Sequence, residues 1–389
     1  MPLGATLLRH LLFITLILGR HFSIMLLKRH PLLKPMQTSS RKQQHVAIAL
    51  SKDVSFRTKT AGFERWEFSH NALPELNFTD VDPSATFLKK KLNLPLIVSS
   101  MTGGYRDAKR INRLLAQVCE LKGLAMGVGS QRQAMEEATY HQTFSIVRKV
   151  APNIPILGNI GGAEVAKLND LSNIRRLADI IRADAFAVHL NPLQEFLQPE
   201  GNPEFRGVLK GIAKLVNGLG IPVIVKEIGA GISMSVAKRL IDVGVRFIDV
   251  AGAGGTSWAG VEIIRRKERR KDRKARSPEV DTFPATFWDW GISTVNALRQ
   301  VCSFKTEYPS LTVIASGGIA GGLDIAKSIA FGADVAAAAR PLLKALDRGG
   351  IDGLLATIEA WEMELKGAMF LTGSRTISDL QQQQLVLKP

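Results

Sequence analysis

The sequence predicts a (β/α)8 barrel, a closed ring of eight parallel strands that alternate with helices. Two observations support this prediction. From residue 95 onward, a short apolar or β-branched run occurs eight times, and each run stops at a polar or glycine-rich cluster. Stretches with helical periodicity separate most of these runs, such as "DAKRINRLLAQVCELKG" and "SVAKRLIDVG". Alternation of strand and helix is typical of a parallel sheet, and eight units are the number that closes a barrel.

The eight predicted strands lie in segments of similar length. They are "LPLIVSSMTGG" (94–104), "LAMGVGSQR" (124–132), "IPILGNIGG" (154–162), "AFAVHLN" (185–191), "IPVIVKEIG" (221–229), "FIDVAGAGGTS" (247–257), "TVIASGGI" (312–319) and "ADVAAAAR" (333–340). A chain of 389 residues that is 46% hydrophobic can bury one large core, and barrels of this class often exceed about 250 residues. We therefore expect one catalytic domain over 41–370, an extension over 1–40 and a tail over 371–389.

The net charge of +16 is concentrated in two segments. Residues 1–40 carry +5 and the segment 265–276 carries +7, which leaves +4 for the rest of the chain. This remainder is ordinary for a soluble enzyme, and it lacks the aromatic-rich basic face of a single-strand nucleic-acid binder. We therefore expect no nucleic-acid partner. The basic segment 265–276 is predicted to be a mobile, solvated loop after strand six, or a lid that closes over an anionic ligand.

The cysteines and the N-terminus bear on location. Cys119 and Cys302 lie outside any metal-binding or CxxC pattern, so a disulfide framework and a structural zinc site are not predicted, and we expect a cytoplasmic protein. The run "LLFITLILG" (11–19) has about half of the ~20 apolar residues that a membrane-spanning helix needs. It is either a targeting or anchoring segment or an upstream extension, with Met36 as the natural start.

Polar residues follow the predicted strands where barrel enzymes carry their active sites. The residues at these strand ends are Thr102, Ser130, Gln131, Arg132, Asn159, His189, Asn191, Lys226, Thr256 and Ser316. The C-terminal ends of all eight strands meet at one face of a barrel, so we expect these side chains to surround one cavity. A random core would scatter them along the strands.

The seventh predicted strand ends in a glycine pair that suits phosphate. Gly317 and Gly318 leave backbone N–H groups free to approach an anion without interference from a Cβ atom. The loops after strands seven and eight often bind phosphate in barrels, and strand eight brings Ala339 and Arg340 to the same corner. A tight turn is the alternative interpretation of the glycine pair.

Taken together, these motifs resemble the type 2 isopentenyl-diphosphate isomerases, FMN-dependent barrels that interconvert isopentenyl and dimethylallyl diphosphate. The resemblance runs from about Ser40 to Lys366. It rests on "RKQQH" (41–45), "SMTGG" (100–104), "GSQR" (129–132), "GNIG" (158–161), "HLNPLQE" (189–195), "VKE" (225–227), "GGTSWAGVE" (254–262), "FWDWG" (287–291) and "SGGI" (316–319). So many motifs in the same order around eight strands are highly specific.

The resemblance implies a set of FMN-binding residues. They are Ser100, Met101, Thr102, Gly103, Ser130 and Asn159 along the flavin, Lys226 near its N1 edge, Thr256, and Gly317, Gly318, Ile319, Ala339 and Arg340 at the phosphate. A cation near N1 stabilises the anionic reduced flavin. The resemblance further implies that FMN acts reduced and without net redox change, so that NADPH serves only to reduce it, and that the chain forms tetramers or octamers.

The resemblance also assigns the substrate site. The residues implied for substrate are Arg41, Lys42, His45, Ser130, Gln131, Arg132, Asn191 and Gln194. Without the family, "RKQQH" would be interpreted as a solvated charge cluster. Gln194 and His189 are the predicted catalytic residues, and Glu195 is the predicted ligand of Mg²⁺. Magnesium commonly takes one or two protein carboxylates together with substrate phosphate, which fits a single acid at this strand end.

Two other classes stay open from the sequence. One is an FMN-dependent oxidoreductase of hydroxy acids or dihydroorotate, which would share the glycine-rich phosphate corner. Such enzymes lack the Gln194–Glu195 pair and usually need a histidine or cysteine base near strand seven, which we do not find here. The other is a non-enzymatic basic binding protein on a degenerate barrel, and the intact set of polar strand ends argues against it.

Overall fold

The computed structural model describes residues 38–271 and 283–388. Its strands are β1 (Trp66–Phe68), β2 (Ala85–Phe87), β3 (Lys90–Leu92), β4 (Leu96–Val98), β5 (Ala125–Gly127), β6 (Ile156–Gly161), β7 (Ala185–His189), β8 (Val223–Lys226), β9 (Phe247–Asp249), β10 (Thr312–Ser316), β11 (Val335–Ala338) and β12 (Leu385–Leu387). Within the described residues, β4 to β11 pair in parallel in chain order, and β11 returns to β4 to close the barrel. Each of the eight predicted segments contains one of these strands, so the predicted (β/α)8 barrel is confirmed.

The helices lie mainly between the strands. They are α1 (Thr38–Ser51), α2 (Ala108–Lys122), α3 (Arg132–Glu136), α4 (His141–Val150), α5 (Gly162–Val165), α6 (Ser172–Ile181), α7 (Pro192–Leu197), α8 (Val208–Gly218), α9 (Met234–Asp242), α10 (Trp258–Lys271), α11 (Phe283–Thr286), α12 (Thr294–Cys302), α13 (Gly322–Ala330), α14 (Arg340–Leu371) and α15 (Ile377–Gln381). Helix α14 is kinked at Gly350, whose φ of 61° is not helical.

Helix α2 illustrates how the sequence specifies these elements. Asn112, Leu115, Ala116 and Cys119 recur at spacings of three and four, and all are buried on one face. The helix ends at Gly123, which adopts the left-handed conformation with φ 64° and donates its N–H to carbonyls of the last turn. Both signals are local in the chain, which is why the helix was predicted from the sequence.

The N-terminal end of the barrel is closed by the antiparallel pair β2–β3. Phe87 and Leu92 from this pair pack in one buried cluster with Ile97 and Ile224. The ring of Phe87 meets the edge of Phe247, the first residue of β9, at a centroid distance of 6.4 Å. Apolar side chains therefore fill this end of the barrel, and the polar strand ends lie at the opposite, C-terminal end.

The C-terminal end of the described chain is attached to β1. Strand β12 pairs antiparallel with β1, with Val386 opposite Glu67, so part of the predicted tail over 371–389 is folded. Helix α15 begins with a capping box between Thr376 and Asp379. No helix in residues 38–271 or 283–388 is long and apolar enough to cross a bilayer. The run "LLFITLILG" and Met36 lie outside the described residues.

The basic segment 265–276 differs from its prediction. Helix α10 continues through its first part to Lys271, whereas residues 272–276 lie outside the described residues. Arg265 is only 1% exposed, and its guanidinium pairs with Glu200 at 2.6 Å and Glu262 at 2.9 Å. The prediction of a solvated loop is therefore wrong for Arg265, because two carboxylates from other positions pair with its charge.

Arg148 joins three elements near the N-terminal end of β7. Its guanidinium donates to the backbone carbonyls of Ala151, Pro152, Ile154, Ile181 and Arg182. It also pairs with the Asp184 carboxylate at 2.5 Å, and this carboxylate accepts the N–H of Ile156 at 2.8 Å. Arg148 thus satisfies carbonyls at the ends of α4 and α6 that would otherwise be buried without a donor.

We expect Arg148→Met to lower the free energy of unfolding by about 3 kcal/mol or more, because the change leaves buried carbonyls unsatisfied and removes the Arg148–Asp184 pair. The apparent melting temperature measures this loss. Lys238→Met, which removes an exposed pair with Asp242 on α9, is the control and should not change the melting temperature measurably. Equal melting temperatures for the two variants would contradict the structural role of Arg148.

Candidate active site

A cavity of about 590 Å³ opens at the C-terminal ends of the barrel strands. All but two of the residues predicted from the sequence to form the site line it. They are Arg41, Lys42, His45, Ser100, Met101, Gly103, Ser130, Arg132, Asn159, His189, Asn191, Gln194, Glu195, Lys226, Thr256, Gly317, Gly318, Ile319, Ala339 and Arg340. The predicted strand ends and the N-terminal motif "RKQQH" are therefore brought together at one place.

Thr102 and Gln131 do not line the cavity. The Thr102 hydroxyl donates to the buried amide of Asn112 on α2. The Gln131 side chain is fully buried, donates to the Leu177 carbonyl at 2.8 Å and accepts the N–H of Asn159 at 3.1 Å. Both side chains hold neighbouring elements in place, and Gln131 fixes the backbone from which Asn159 reaches the cavity.

The corner between β10 and β11 offers consecutive backbone donors. Gly317 and Gly318 have φ of 96° and 77°, and a Cβ atom at Gly317 would lie 2.1 Å from the Gly252 carbonyl oxygen. Only glycine fits this approach. Among the described residues, no hydrogen bond occupies the N–H groups of Gly317, Gly318 or Ile319. Successive free N–H groups in such a turn form an anion-binding nest.

Arg340, the first residue of α14, lies at the same corner but faces the N-terminal segment. Its Nε donates to the Ala49 carbonyl at 2.8 Å, and its Nη2 donates to the Lys52 carbonyl at 2.9 Å. Its Nη1 donates to the Ser55 hydroxyl at 3.2 Å. The three nitrogens of this guanidinium therefore bind the last turn of α1 and the residues that follow it.

A buried cation lies at the end of β8. Lys226 Nζ donates to the Glu227 carbonyl and lies 3.8 Å from Asp249 Oδ2 at the end of β9. Burial raises the pKa of Asp249, and Lys226 and a hydrogen bond from Ser316 act against that rise. Lys226 therefore supplies a cation to this part of the cavity, and Asp249 partly balances its charge.

His189, the last residue of β7, is held as a neutral ring. Burial, together with the cations Lys226 and Lys42, lowers its pKa to about 3. Its Nδ1 lies 2.8 Å from Asn159 Oδ1, and the Asn159 amide nitrogen donates to Val128, so Nδ1 carries the proton. The neutral ring then presents Nε2 as a hydrogen-bond acceptor.

Cations from α1 and α3 meet at another part of the cavity wall. Lys42 Nζ donates to the Ser130 carbonyl, and burial, followed by repulsion from Arg41, lowers its pKa to about 7. Arg132 Nη1 lies 3.1 Å from Glu164 Oε1. Burial also lowers the pKa of Arg41, and Arg132 adds to this effect. Three cations facing one cavity form a site for a multiply charged anion.

Side-chain oxygens of Glu195 and Asn191 also line the cavity. Glu195 accepts hydrogen bonds from the Asn191 amide at 3.0 Å and from the backbone N–H of Asn202 at 2.6 Å. Asn191 Oδ1 is buried without a hydrogen-bond partner among the described residues. Burial raises the pKa of Glu164, and Glu195 is among the causes. In residues 38–271 and 283–388, no group of three or more histidine, cysteine, aspartate or glutamate side chains could hold a metal ion.

Glu262 on α10 connects several of these groups, and its role was not predicted. One carboxylate oxygen lies 2.8 Å from His45 Nε2 and accepts from Gln194 Nε2 at 3.1 Å. The Gln198 amide, with its nitrogen toward Glu262, also lies at 3.1 Å and accepts from Arg41. Burial opposes the charge of Glu262, but His45 and Arg265 outweigh it and hold its pKa at about 2. The motif "GGTSWAGVE" ends at this residue, and it was the signal available in the sequence.

Glu164 and Asp249 were likewise not predicted as site residues. Glu164 follows "GNIGG" on α5, and Asp249 precedes the motif that contains Thr256. Neither position carries a spacing signal, because the partners of both carboxylates come from other elements of the fold. Only the closed barrel brings Arg132 to Glu164 and Lys226 to Asp249.

Comparison with solved structures supports the fold. A lactate oxidase of Pediococcus acidilactici superposes with a TM-score of 0.62 at 15% identity, covering 90% of this chain and 94% of that protein. A mandelate oxidase variant superposes with a TM-score of 0.61 at 15% identity, covering 90% of this chain and 100% of that protein. At this level of identity the likeness shows the barrel fold alone.

Comparison with protein sequences shows the family. The model of the FMN-dependent dehydrogenase family matches residues 175–387. The isopentenyl-diphosphate delta-isomerase of Pelodictyon phaeoclathratiforme is 46% identical over 357 residues, 91% of this chain and 98% of that protein. The same enzyme of Chlorobium limicola is 47% identical over 354 residues, 90% of this chain and 96% of that protein. Because this identity extends over nearly the full length of the relatives, the chain belongs to the FMN-dependent, type 2 isopentenyl-diphosphate delta-isomerases.

Proposed function

We propose that this enzyme interconverts isopentenyl and dimethylallyl diphosphate with reduced FMN and Mg²⁺, without net redox change. The observation that carries the proposal is a single cavity with two separate anion-binding parts. One is the nest at Gly317–Ile319, and the other is the cation cluster of Arg41, Lys42 and Arg132. A flavin phosphate and a substrate diphosphate need two such parts.

The residues of the β10–β11 corner fit the phosphate of FMN. The glycine pair leaves room for it, and the free N–H groups of Gly317, Gly318 and Ile319 point to an anion of that size. Lys226 supplies the cation for the flavin ring that was expected from the sequence. When bound and reduced, FMN supplies the acid–base centre for the two proton transfers of the allylic shift.

Arg41, Lys42 and Arg132 fit the diphosphate, and Glu195 fits its magnesium. Glu195 offers a carboxylate at the cavity, and the unpartnered Asn191 Oδ1 beside it is a second hard oxygen. Magnesium prefers oxygen ligands and often takes only one or two carboxylates together with phosphate oxygens. A cation held this way needs no cluster of protein acids.

Gln194 is held in one orientation in the cavity wall. Its Nε2 donates to Glu262 and its Oε1 accepts from Asn191 at 3.1 Å, so both ends of the amide are fixed. We place this amide beside the reacting alkene, where it positions the substrate or relays a proton. Neutral His189 presents an acceptor to the same cavity. NADPH as the reductant, a cytoplasmic location and assembly into tetramers or octamers stay predictions of the sequence.

The central test is an anaerobic assay of isopentenyl diphosphate with the FMN-loaded enzyme, followed by proton NMR. We expect conversion to dimethylallyl diphosphate when the flavin is reduced by dithionite or NADPH, and less than about 1% of that rate with oxidised FMN, since the acid–base centre needs the reduced ring. Full activity with oxidised FMN, or without flavin, would contradict the proposed mechanism.

Glu195→Gln should raise the magnesium concentration for half-maximal activity at least about tenfold, because the amide keeps the shape and loses the charge that attracts the ion. Gln194→Ala is the neighbouring comparison. It should lower kcat about a hundredfold with an unchanged magnesium response, as expected for loss of a group that acts in the transition state. If both variants shift the magnesium response equally, Glu195 is not the ligand.

Lys42→Met should alter the pH dependence of anion binding. In the free enzyme the pKa of Lys42 is about 7, so above pH 7 the amine is neutral and must take up a proton when a diphosphate binds. The affinity of the wild type for inorganic pyrophosphate should therefore fall relative to that of Lys42→Met, by up to about tenfold per pH unit above 7. Calorimetry from pH 6 to 9 measures the ratio. Parallel profiles would show that Lys42 does not titrate.

A further inference from the structure

Three cations stand in a row on the first turns of α14. Arg340, Lys344 and Arg348 are spaced by four residues, which places them on one face of the helix, and all three line the cavity. Side chains of an α-helix lean toward its N-terminus. Lys344 lies one turn after the helix start and lines the same cavity as the nest at Gly317–Ile319.

The first cation of the row is already engaged by the protein. The guanidinium nitrogens of Arg340 donate to Ala49, Lys52 and Ser55, which fixes its plane against the N-terminal segment. Lys344 differs in this respect. Among the described residues its Nζ has no hydrogen bond and no ion pair, although the side chain is half-buried.

Among the described residues, the charges that act on Lys344 are mostly positive. Burial lowers the pKa of Lys344, repulsion from Arg340 and Arg348 lowers it further, and Asp53 is the acid that acts in the opposite direction. Like charges four residues apart destabilise a helix, and the positive end of the helix dipole adds to the same potential. A phosphate dianion at the helix start would relieve this repulsion.

We propose that Lys344, and not Arg340, provides the side-chain cation that binds the phosphate of FMN, and that Arg340 instead positions the segment Ala49–Ser55. The inference rests on the FMN dependence of the proposed function and changes its assignment of residues. It separates cofactor binding from attachment of the N-terminal segment. Helix α1, which carries Arg41, Lys42 and His45, is then held at its C-terminal end by a residue that the cofactor does not need.

The test compares FMN with riboflavin, which lacks the phosphate, in binding to the full chain freed of flavin. Quenching of flavin fluorescence gives both dissociation constants. Lys344→Gln should weaken FMN about ten- to a hundredfold and leave riboflavin unchanged, as expected for loss of a charge-assisted contact to phosphate. Lys344→Arg should restore most of the FMN affinity. Lys210→Gln, which removes an exposed charge on α8, is the matched control and should bind FMN as the wild type does.

Arg340→Gln should change the FMN dissociation constant less than about threefold. It should instead speed amide hydrogen exchange in residues 38–55, because the three contacts of the guanidinium to that segment are lost. The proposal is overturned if Lys344→Gln binds FMN as the wild type does, if it weakens riboflavin equally, or if Arg340→Gln causes the larger phosphate-specific loss. These binding results do not use isomerase activity, so an FMN-binding protein without isomerase activity would refute the proposed function alone.

Discussion

The architecture of the site depends on one buried carboxylate, that of Glu262. It is fully buried and still ionised, since His45 and Arg265 outweigh the cost of burial and hold its pKa at about 2. Its oxygens meet His45 from α1, Gln194 from α7 and Arg265 from its own helix. A buried carboxylate is stable only when several donors bind it, so each group that binds Glu262 is held in one position. The helices α1, α7 and α10, which lie outside the barrel wall, are thereby joined at Glu262.

Residues that line the cavity therefore come from two kinds of element, the barrel strands and the helices outside them. Lys226 and His189 stand on barrel strands, whose parallel pairing sets their positions directly. The cation cluster instead depends on α1, a helix that precedes the barrel and must be attached to it. Glu262 contacts this helix through His45, and Arg340 contacts its end through the Ala49 carbonyl. Two contacts four residues apart fix both the position and the rotation of α1, which decides where its cations point.

The sequence predicted the barrel because its signals are local. Each strand is a short apolar run, and each helix shows its own periodicity and often its own terminator, as at Gly123. The direction in which a side chain points is harder to predict from the sequence. Thr102 and Gln131 follow strands as their neighbours do, but they point away from the cavity. Contacts between residues that are far apart in the chain cannot be predicted from such local signals. Gln194 and Glu262 are 68 residues apart, and no spacing rule connects them.

The cations that line the cavity differ in how their charge is balanced. Acids lie near two of the cations and partly balance their charge, Asp249 at Lys226 and Glu164 at Arg132. Lys42 and Lys344 are different, because burial and neighbouring cations lower the pKa of each. An arriving anion reverses these effects and favours the charged amine. Binding of an anion at Lys42 is therefore coupled to proton uptake, because the pKa of this amine is about 7 in the free enzyme.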